Sequence, residues 1–185
     1  MKSLVGTIGA LALLAATPAS AAHWNVDMAH SKLDFTVSWS KQPFTGTFKS
    51  WKATIDFDAA NLAASKADVA IAIGSETSGD AETDAGVKGD VGFGATQFPT
   101  AHFVTKSFTH KSGNDYVAQG SLTLKGITQP ITLPFTLAIN GKTAHMVGSA
   151  VVMRNLFNVG TGQWATPDPV AHEVKVNIDI TATQN

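Results

Sequence analysis

Any chemistry in this chain would have to come from its histidines, an acidic cluster, a glycine-rich turn or its single arginine. The six histidines, His23, His30, His102, His110, His145 and His172, show no metal-binding spacing. A metal site would have to be assembled across strands, and these residues read as plain polar positions. Asp80, Glu82 and Asp84 imitate positions one, three and five of a calcium loop, but Ala85 and Val91 stand where glycine and a bidentate glutamate are required. A solvated acidic loop is expected there. Gly160-Thr161-Gly162-Gln163-Trp164-Ala165 matches the dinucleotide fingerprint by letter, yet Pro167 and Pro169 follow where a helix should run. Its glycines read as a turn or bulge. The chain has no cysteine, which excludes disulfides, zinc–thiolate sites, iron–sulfur clusters and thiol nucleophiles. It also lacks a G-x-S-x-G nucleophile elbow. No catalytic residue, metal or cofactor is expected.

The charge balance points the same way. Thirteen Lys and Arg against 14 Asp and Glu, with no basic tract, argue against nucleic acid as a partner. At the N-terminus, Met1-Lys2, the apolar run Leu4 to Ala16, and Ala19-Ser20-Ala21-Ala22 follow the order of a secretory signal peptide. Residues 1–22 are therefore expected to be a cleaved leader, and residues 23–185 a single exported, periplasmic domain. No later run is long enough to span a bilayer as a helix, so no stable membrane insertion of the mature chain is expected.

What must position any site is a set of strands. Leu33, Phe35, Val37 and Trp39 alternate with Asp34, Thr36 and Ser38; Trp51, Ala53, Ile55 and Phe57 alternate with Lys52, Thr54 and Asp56. The pattern returns in Val69 to Ile73, Tyr116 to Leu124, Ile131 to Ile139 and Val174 to Ile180. Period-two alternation means half-buried antiparallel strands, because successive side chains point to opposite faces. Asn140-Gly141 predicts a type I′ hairpin turn, Gly113-Asn114-Asp115 another turn, and Pro134 a bulge or an edge. Ala59–Ser65 predicts one or two helical turns, and 79–91 a short helix or a long loop. About eight strands with no helical layer leave a sandwich or a closed barrel. If the strand after Gly141 is regular, Arg154 continues the apolar face of Met146, Gly148, Ala150 and Val152. There its guanidinium needs a carboxylate such as Asp168, Glu173 or Asp179, carbonyl groups, or a ligand oxygen.

The order of motifs resembles the YceI-like family of bacterial periplasmic lipid- and polyisoprenoid-binding proteins. The match runs through Asp27-Met28-Ala29-His30-Ser31, Phe44-Thr45-Gly46-Thr47-Phe48, Ile55-Asp56-Phe57-Asp58 and Phe98-Pro99-Thr100-Ala101-His102-Phe103. It continues with Gly120 to Ile131, Arg154-Asn155-Leu156-Phe157-Asn158-Val159-Gly160 and Val174-Lys175-Val176-Asn177-Ile178. The chain departs from the family pattern at Thr83-Asp84 and Val91-Gly92-Phe93, which puts a lid role for that loop in doubt. The resemblance implies an all-β, lipocalin-like antiparallel barrel of about eight strands, with one short helix or helical turn and an elongated apolar tunnel. It implies a carrier of a long amphiphile (an isoprenoid quinone, polyprenyl lipid or fatty-acid derivative) without catalysis. An enzyme acting on such a lipid, or a quinone-binding accessory of a membrane b-type cytochrome, are the alternatives; a homodimer is a family-level option. On this reading the tunnel wall is Phe35, Val37, Trp39, Phe48, Trp51, Ile55, Phe57, Ile71, Phe103, Leu122, Leu124, Phe135, Met146, Phe157 and Trp164. Arg154 is the candidate for the head group. Small inward residues such as Ala53, Ala118, Gly120, Gly148 and Ala150 would leave room for the lipid.

Overall fold

The computed structural model describes residues 21–185; the expected leader lies almost wholly outside them. Eleven strand segments, each antiparallel to the segments it pairs with, make up the fold: β1 (Ala22–Val26), β2 (Lys32–Trp39), β3 (Gln42–Phe48), β4 (Trp51–Phe57), β5 (Lys66–Ala72) and β6 (Glu76–Thr77). After a short helix, α1 (Ala81–Lys88), come β7 (Thr100–Ser112), β8 (Asp115–Leu124), β9 (Ile127–Asn140), β10 (Thr143–Met153) and β11 (Val170–Gln184). The ring runs β1-β4-β5-β7-β8-β9-β10-β11 and closes through β1 on β11. β2, β3 and β6 prolong β1, β4 and β5 past kinks, so the closed barrel has eight strands, three of them broken in two. Closure gives every strand of the ring a partner on both sides over at least part of its length, which the sandwich alternative would not achieve.

The breaks have a consequence for side-chain direction. Trp24 faces inward in β1, whereas Leu33, Phe35 and Val37 do so in β2. Phe44 and Phe48 face inward in β3, but Trp51, Ile55 and Phe57 in β4. Each kink therefore switches the inward parity, as the extra residue of a bulge does. The 3₁₀ turn Met28–His30, capped by Asp27 accepting from the Ala29 amide at 3.0 Å, makes the first switch.

β11, the longest strand, holds the ring together. It pairs with β10 from Thr143 to Met153 on one side, and with β2 and then β1 on the other. The inward faces form two contiguous clusters. One, toward α1, is built on Leu33, Phe35, Phe48, Trp51, Ile73 and Phe157; the other, at the opposite end, on Trp24, Phe57, Leu133, Phe135 and Leu137.

Local expectations fare unevenly. The 3₁₀ turn Leu62–Ala64 and α1 fall where helical turns were expected, and Gly113 takes positive φ in the β7–β8 turn. The β9–β10 turn is one residue later than expected. Asn140 pairs with Thr143, the loop is Gly141-Lys142, and only Gly141 has positive φ, which is the II′ pattern in place of I′. Pro134 sits at an edge and makes no bulge against β8. The β9–β10 ladder stops at the Phe135–Gly148 pair, beyond which Pro134 and Pro130 supply no N–H.

Phe135 stacks on Tyr116 at 5.6 Å and meets Phe108 edge-on at 6.2 Å, deep in the second cluster. Phe135→Ala is expected to lower unfolding free energy by about 3–5 kcal/mol, the scale of a buried aromatic truncation, read by urea denaturation. A loss below about 1 kcal/mol would show that this end of the barrel is loosely packed.

Candidate functional site

Three cavities of about 150, 140 and 90 Å³ follow one another inside the barrel. The first two share Leu33, Ile71, Leu122, Val152 and Val176 as walls. The second and third share Ile55, Ala67, Phe108, Phe135, Met146 and Ile180. They are one elongated space narrowed by side chains. Each is far larger than the roughly 10–15 Å³ a single water needs, and the walls offer water almost nothing to bond. Apart from the indole N–H groups of its tryptophans, the polar side chains among the lining residues are Arg154, Lys32 and Thr105. Thr105 Oγ1 is already used, accepting from the Ala67 amide at 2.7 Å and donating to the Ala67 carbonyl at 3.2 Å. Lys32 is exposed.

Fourteen of the fifteen expected wall residues lie along this space. Phe35, Val37, Trp39, Phe48, Leu124 and Trp164 line the cavity nearest α1, with Ile71 and Leu122 at the first neck. Trp51 and Phe103 line the middle, Ile55, Phe135 and Met146 the second neck, and Phe57 the far end. Phe157 is the exception. It lies in the 3₁₀ turn Arg154–Phe157, is fully buried in the core cluster, and lines none of the three cavities. The glycines expected to leave room do not. A Cβ on Gly120 would meet the Val104 carbonyl and the Phe103 ring at 2.5 and 2.7 Å, and one on Gly148 the Pro134 carbonyl at 2.9 Å. Their space is taken by neighbouring strands.

The end beside α1 is closed by two segments, residues 73–99 and 154–169. Asp80 caps α1 by accepting from the Thr83 amide at 2.8 Å, and α1 presents Val87 to the cavity. Phe93 follows and packs edge-on to Phe35 at 5.8 Å. From the other segment, Trp164 meets Trp39 edge-on at 5.6 Å. Lys125 joins the two segments: its Nζ donates to the carbonyls of Asp90, Gly92 and Asn158 at 2.6, 2.9 and 2.9 Å. The Gly160 amide adds a bond to the Val91 carbonyl at 2.8 Å. A lysine at a strand end reads as solvated from sequence, so its role was not foreseen.

Arg154 is inward and only 4% exposed. Its Nε donates to the Ala171 carbonyl at 2.8 Å, Nη1 to Val159 and Gly160 at 2.9 and 3.0 Å, and Nη2 to Thr166 and Val170 at 3.0 and 2.6 Å. All five N–H donors of the guanidinium are thereby engaged. The expected ion pair with Asp168, Glu173 or Asp179 is replaced by backbone oxygens, and no donor is left over for a head group. Burial pushes its pKa down, though a guanidinium stays charged. Gly160, at φ +75°, has to be glycine here, since a Cβ would collide with Nη1.

The acidic cluster lies on α1 and its cap and is solvated only in part: Asp80 and Glu82 are exposed, whereas Asp84 is not. Asp84 is buried and accepts from Thr77 Oγ1 at 2.6 Å, the Ser78 amide at 2.7 Å and Ser78 Oγ at 2.6 Å. Those hydrogen bonds, the Ser78 and Thr77 hydroxyls first, hold its pKa down at about 2. Its stabilisation is complete above the ordinary value of 3.8 and is lost as pH falls toward 2. Glu76 is the opposite case. It is 1% exposed and neither carboxyl oxygen has a hydrogen-bond partner. Burial, reinforced by the charge of Asp84 and opposed by that of Lys88, raises its pKa from 4.5 to about 7. The unfolded chain releases this proton near 4.5 while the folded chain holds it to about 7, so this group lowers stability as pH rises across that window.

The comparisons with known proteins agree with this architecture. The family model for the YceI-like domain matches residues 24–182. The chain belongs to the YceI-like family. It is 30% identical over 196 residues to protein YceI of Shigella flexneri, covering 99% of this chain and 98% of that one. Among solved structures, BcnA of Burkholderia cenocepacia superposes with a TM-score of 0.83 at 36% identity, over 86% of this chain and 100% of that one. A polyisoprenoid-binding domain from Saccharophagus degradans, implicated in plant cell wall breakdown, shares the fold: TM-score 0.68 at 13% identity, covering 89% and 99% of the two chains.

Arg154→Met keeps much of the stem and removes the five donors. It is expected to destabilise the fold by at least about 3 kcal/mol, because several buried carbonyls lose a charged partner at once. Urea denaturation measures this; a loss under about 1 kcal/mol would mean that the guanidinium is not what holds residues 154–171 in place.

Proposed function

We propose that this protein is a periplasmic carrier that holds a long amphiphilic lipid, such as an isoprenoid quinone, a polyprenyl lipid or a fatty-acid derivative, inside the barrel, without catalysis. The observation that carries the reading is the succession of three apolar cavities sharing their walls along the barrel. A hydrocarbon tail has no hydrogen-bonding group to leave unsatisfied, so a wall without free donors or acceptors suits it and rejects polar solutes. The fold shared with a domain described as polyisoprenoid-binding supports the same ligand class. Export fits the leader-like N-terminal sequence. Among the described residues no helix is long and apolar enough to cross a membrane, and a carrier handing lipid between membranes has no need of one. A b-type cytochrome would be a fitting recipient if the ligand is a quinone.

Native mass spectrometry of gently purified protein tests the reading. A co-purifying species of defined mass, released by organic solvent and identified as a long-chain lipid at near one per chain, is expected. Ligand-free protein that also fails to take up a polyprenol from mixed micelles would contradict it.

A further inference from the structure

Glu76 is the inward polar side chain that the barrel leaves without a partner. Its Cα register pairs it with Phe48 across β3 and β6, so both side chains face the interior. Phe48 and its neighbour Phe35 line the cavity beside α1. Gly46 makes the space: a Cβ there would lie 2.6 Å from Glu76 Oε1 and closer still to the Phe35 ring. The carboxyl and that ring thus share the space over Gly46, with both carboxyl oxygens unbonded and 1% of the residue exposed. The other two buried polar groups of this end, Asp84 and Arg154, have their hydrogen bonds filled. Leaving a buried polar group unpaired costs about 1–3 kcal/mol, and a glycine that keeps the place open for one calls for an explanation.

We propose that Glu76, in its neutral acid form, is a ligand-binding residue that donates a hydrogen bond to an uncharged oxygen (hydroxyl, ether or carbonyl) of the amphiphile whose tail fills the barrel. The proposal rests on the carrier reading above and adds the polar half of the ligand and its place. An uncharged oxygen suits this position better than an ionised head group: a cation would draw the acid into its carboxylate form, and an anion would carry the desolvation cost of a charge in an apolar pocket. Only the protonated acid can donate. The charged groups bearing on Glu76 are Asp84 and Lys88 of α1, while β2 and β3 present Phe35, Gly46 and Phe48. Lys88 Nζ is held on the Glu76 backbone carbonyl at 2.8 Å and not on the carboxyl.

The test compares two probes with one tail, geranylgeraniol and the hydrocarbon that lacks its hydroxyl, at about pH 5 and about pH 9, on either side of the Glu76 titration. The full-length mature protein is expected to bind the alcohol about five- to tenfold more tightly at the lower pH, the scale of one net hydrogen bond. The hydrocarbon should bind equally at both. Glu76→Gln keeps a donor of the same shape and cannot titrate, so it should bind the alcohol with no pH dependence. In infrared difference spectra at low pH, the protonated carboxyl band absent from Glu76→Gln should shift on adding the alcohol and stay put on adding the hydrocarbon. The proposal is overturned if alcohol affinity is flat with pH, if the hydrocarbon follows the same pH curve, or if Glu76→Gln keeps the wild-type response. Failure of both probes to bind at either pH would instead bring down the carrier reading, and this assignment with it.

Discussion

Everything in this barrel is organised around an interior that offers almost no hydrogen bonds. Eight strands satisfy their own backbone by closing on one another, so the inward surface consists of side chains alone. Those side chains are nearly all apolar, and of the few polar ones Thr105 is occupied by Ala67 and Arg154 by five carbonyls, which leaves Glu76 as the unpaired exception. The end beside α1 is the difficult part, because loops entering an apolar space carry backbone groups that need partners. Arg154 and Lys125 answer that need from opposite sides. Each has a cation whose donors gather carbonyls from irregular backbone, and each ties the closing segments to the barrel. The charge does structural work that a neutral donor would do less well, since charged hydrogen bonds contribute about 1.5–3 kcal/mol against about 1 for neutral ones.

The same constraint limits what the interior can hold. The three cavities are separated by necks of aliphatic side chains, Leu33, Ile71, Leu122 and Val152 at one and Ile55, Met146 and Ile180 at the other. Unbranched or γ-branched residues such as Met146 and Leu122 change rotamer at modest cost, so a thin flexible chain can pass where a rigid polycyclic body cannot. The strands with glycines are no wider for them. Gly120 and Gly148 let neighbouring elements approach, and the volume of the interior comes instead from the ring size of the barrel.

Much of this was legible in the sequence, because side-chain alternation is the direct imprint of a half-buried strand. Phe35, Val37, Ile55, Leu122 and Phe135 face inward as their parity requires. What escaped did so wherever parity is reset. Trp24 lies before the 3₁₀ turn Met28–His30, and Glu76 lies after the 3₁₀ turn Ile73–Ser75; both are even-numbered residues turned inward beside odd-numbered neighbours in the same broken strand. Phe108 follows the β7 irregularity between Thr105 and Ser107 in the same way. Phe157 was misplaced because the strand ends at Met153 and a 3₁₀ turn carries its ring into the core. Arg154 was foreseen as inward and in need of partners, but which oxygens would satisfy it depends on how residues 154–171 fold back, and no local pattern encodes that.

On the proposed function, hydrocarbon fills the length of the barrel. The most direct measurement is of nuclear Overhauser contacts between the tail protons of a bound long-chain polyprenol and the methyl groups of the protein. Contacts are expected to Ile71 and Val152 at the first neck, to Ile55 and Ile180 at the second, and to Leu137 at the far end. Contacts confined to the exposed outer residues Val147, Val151, Met153 and Leu156, with the inner methyls unperturbed, would contradict it.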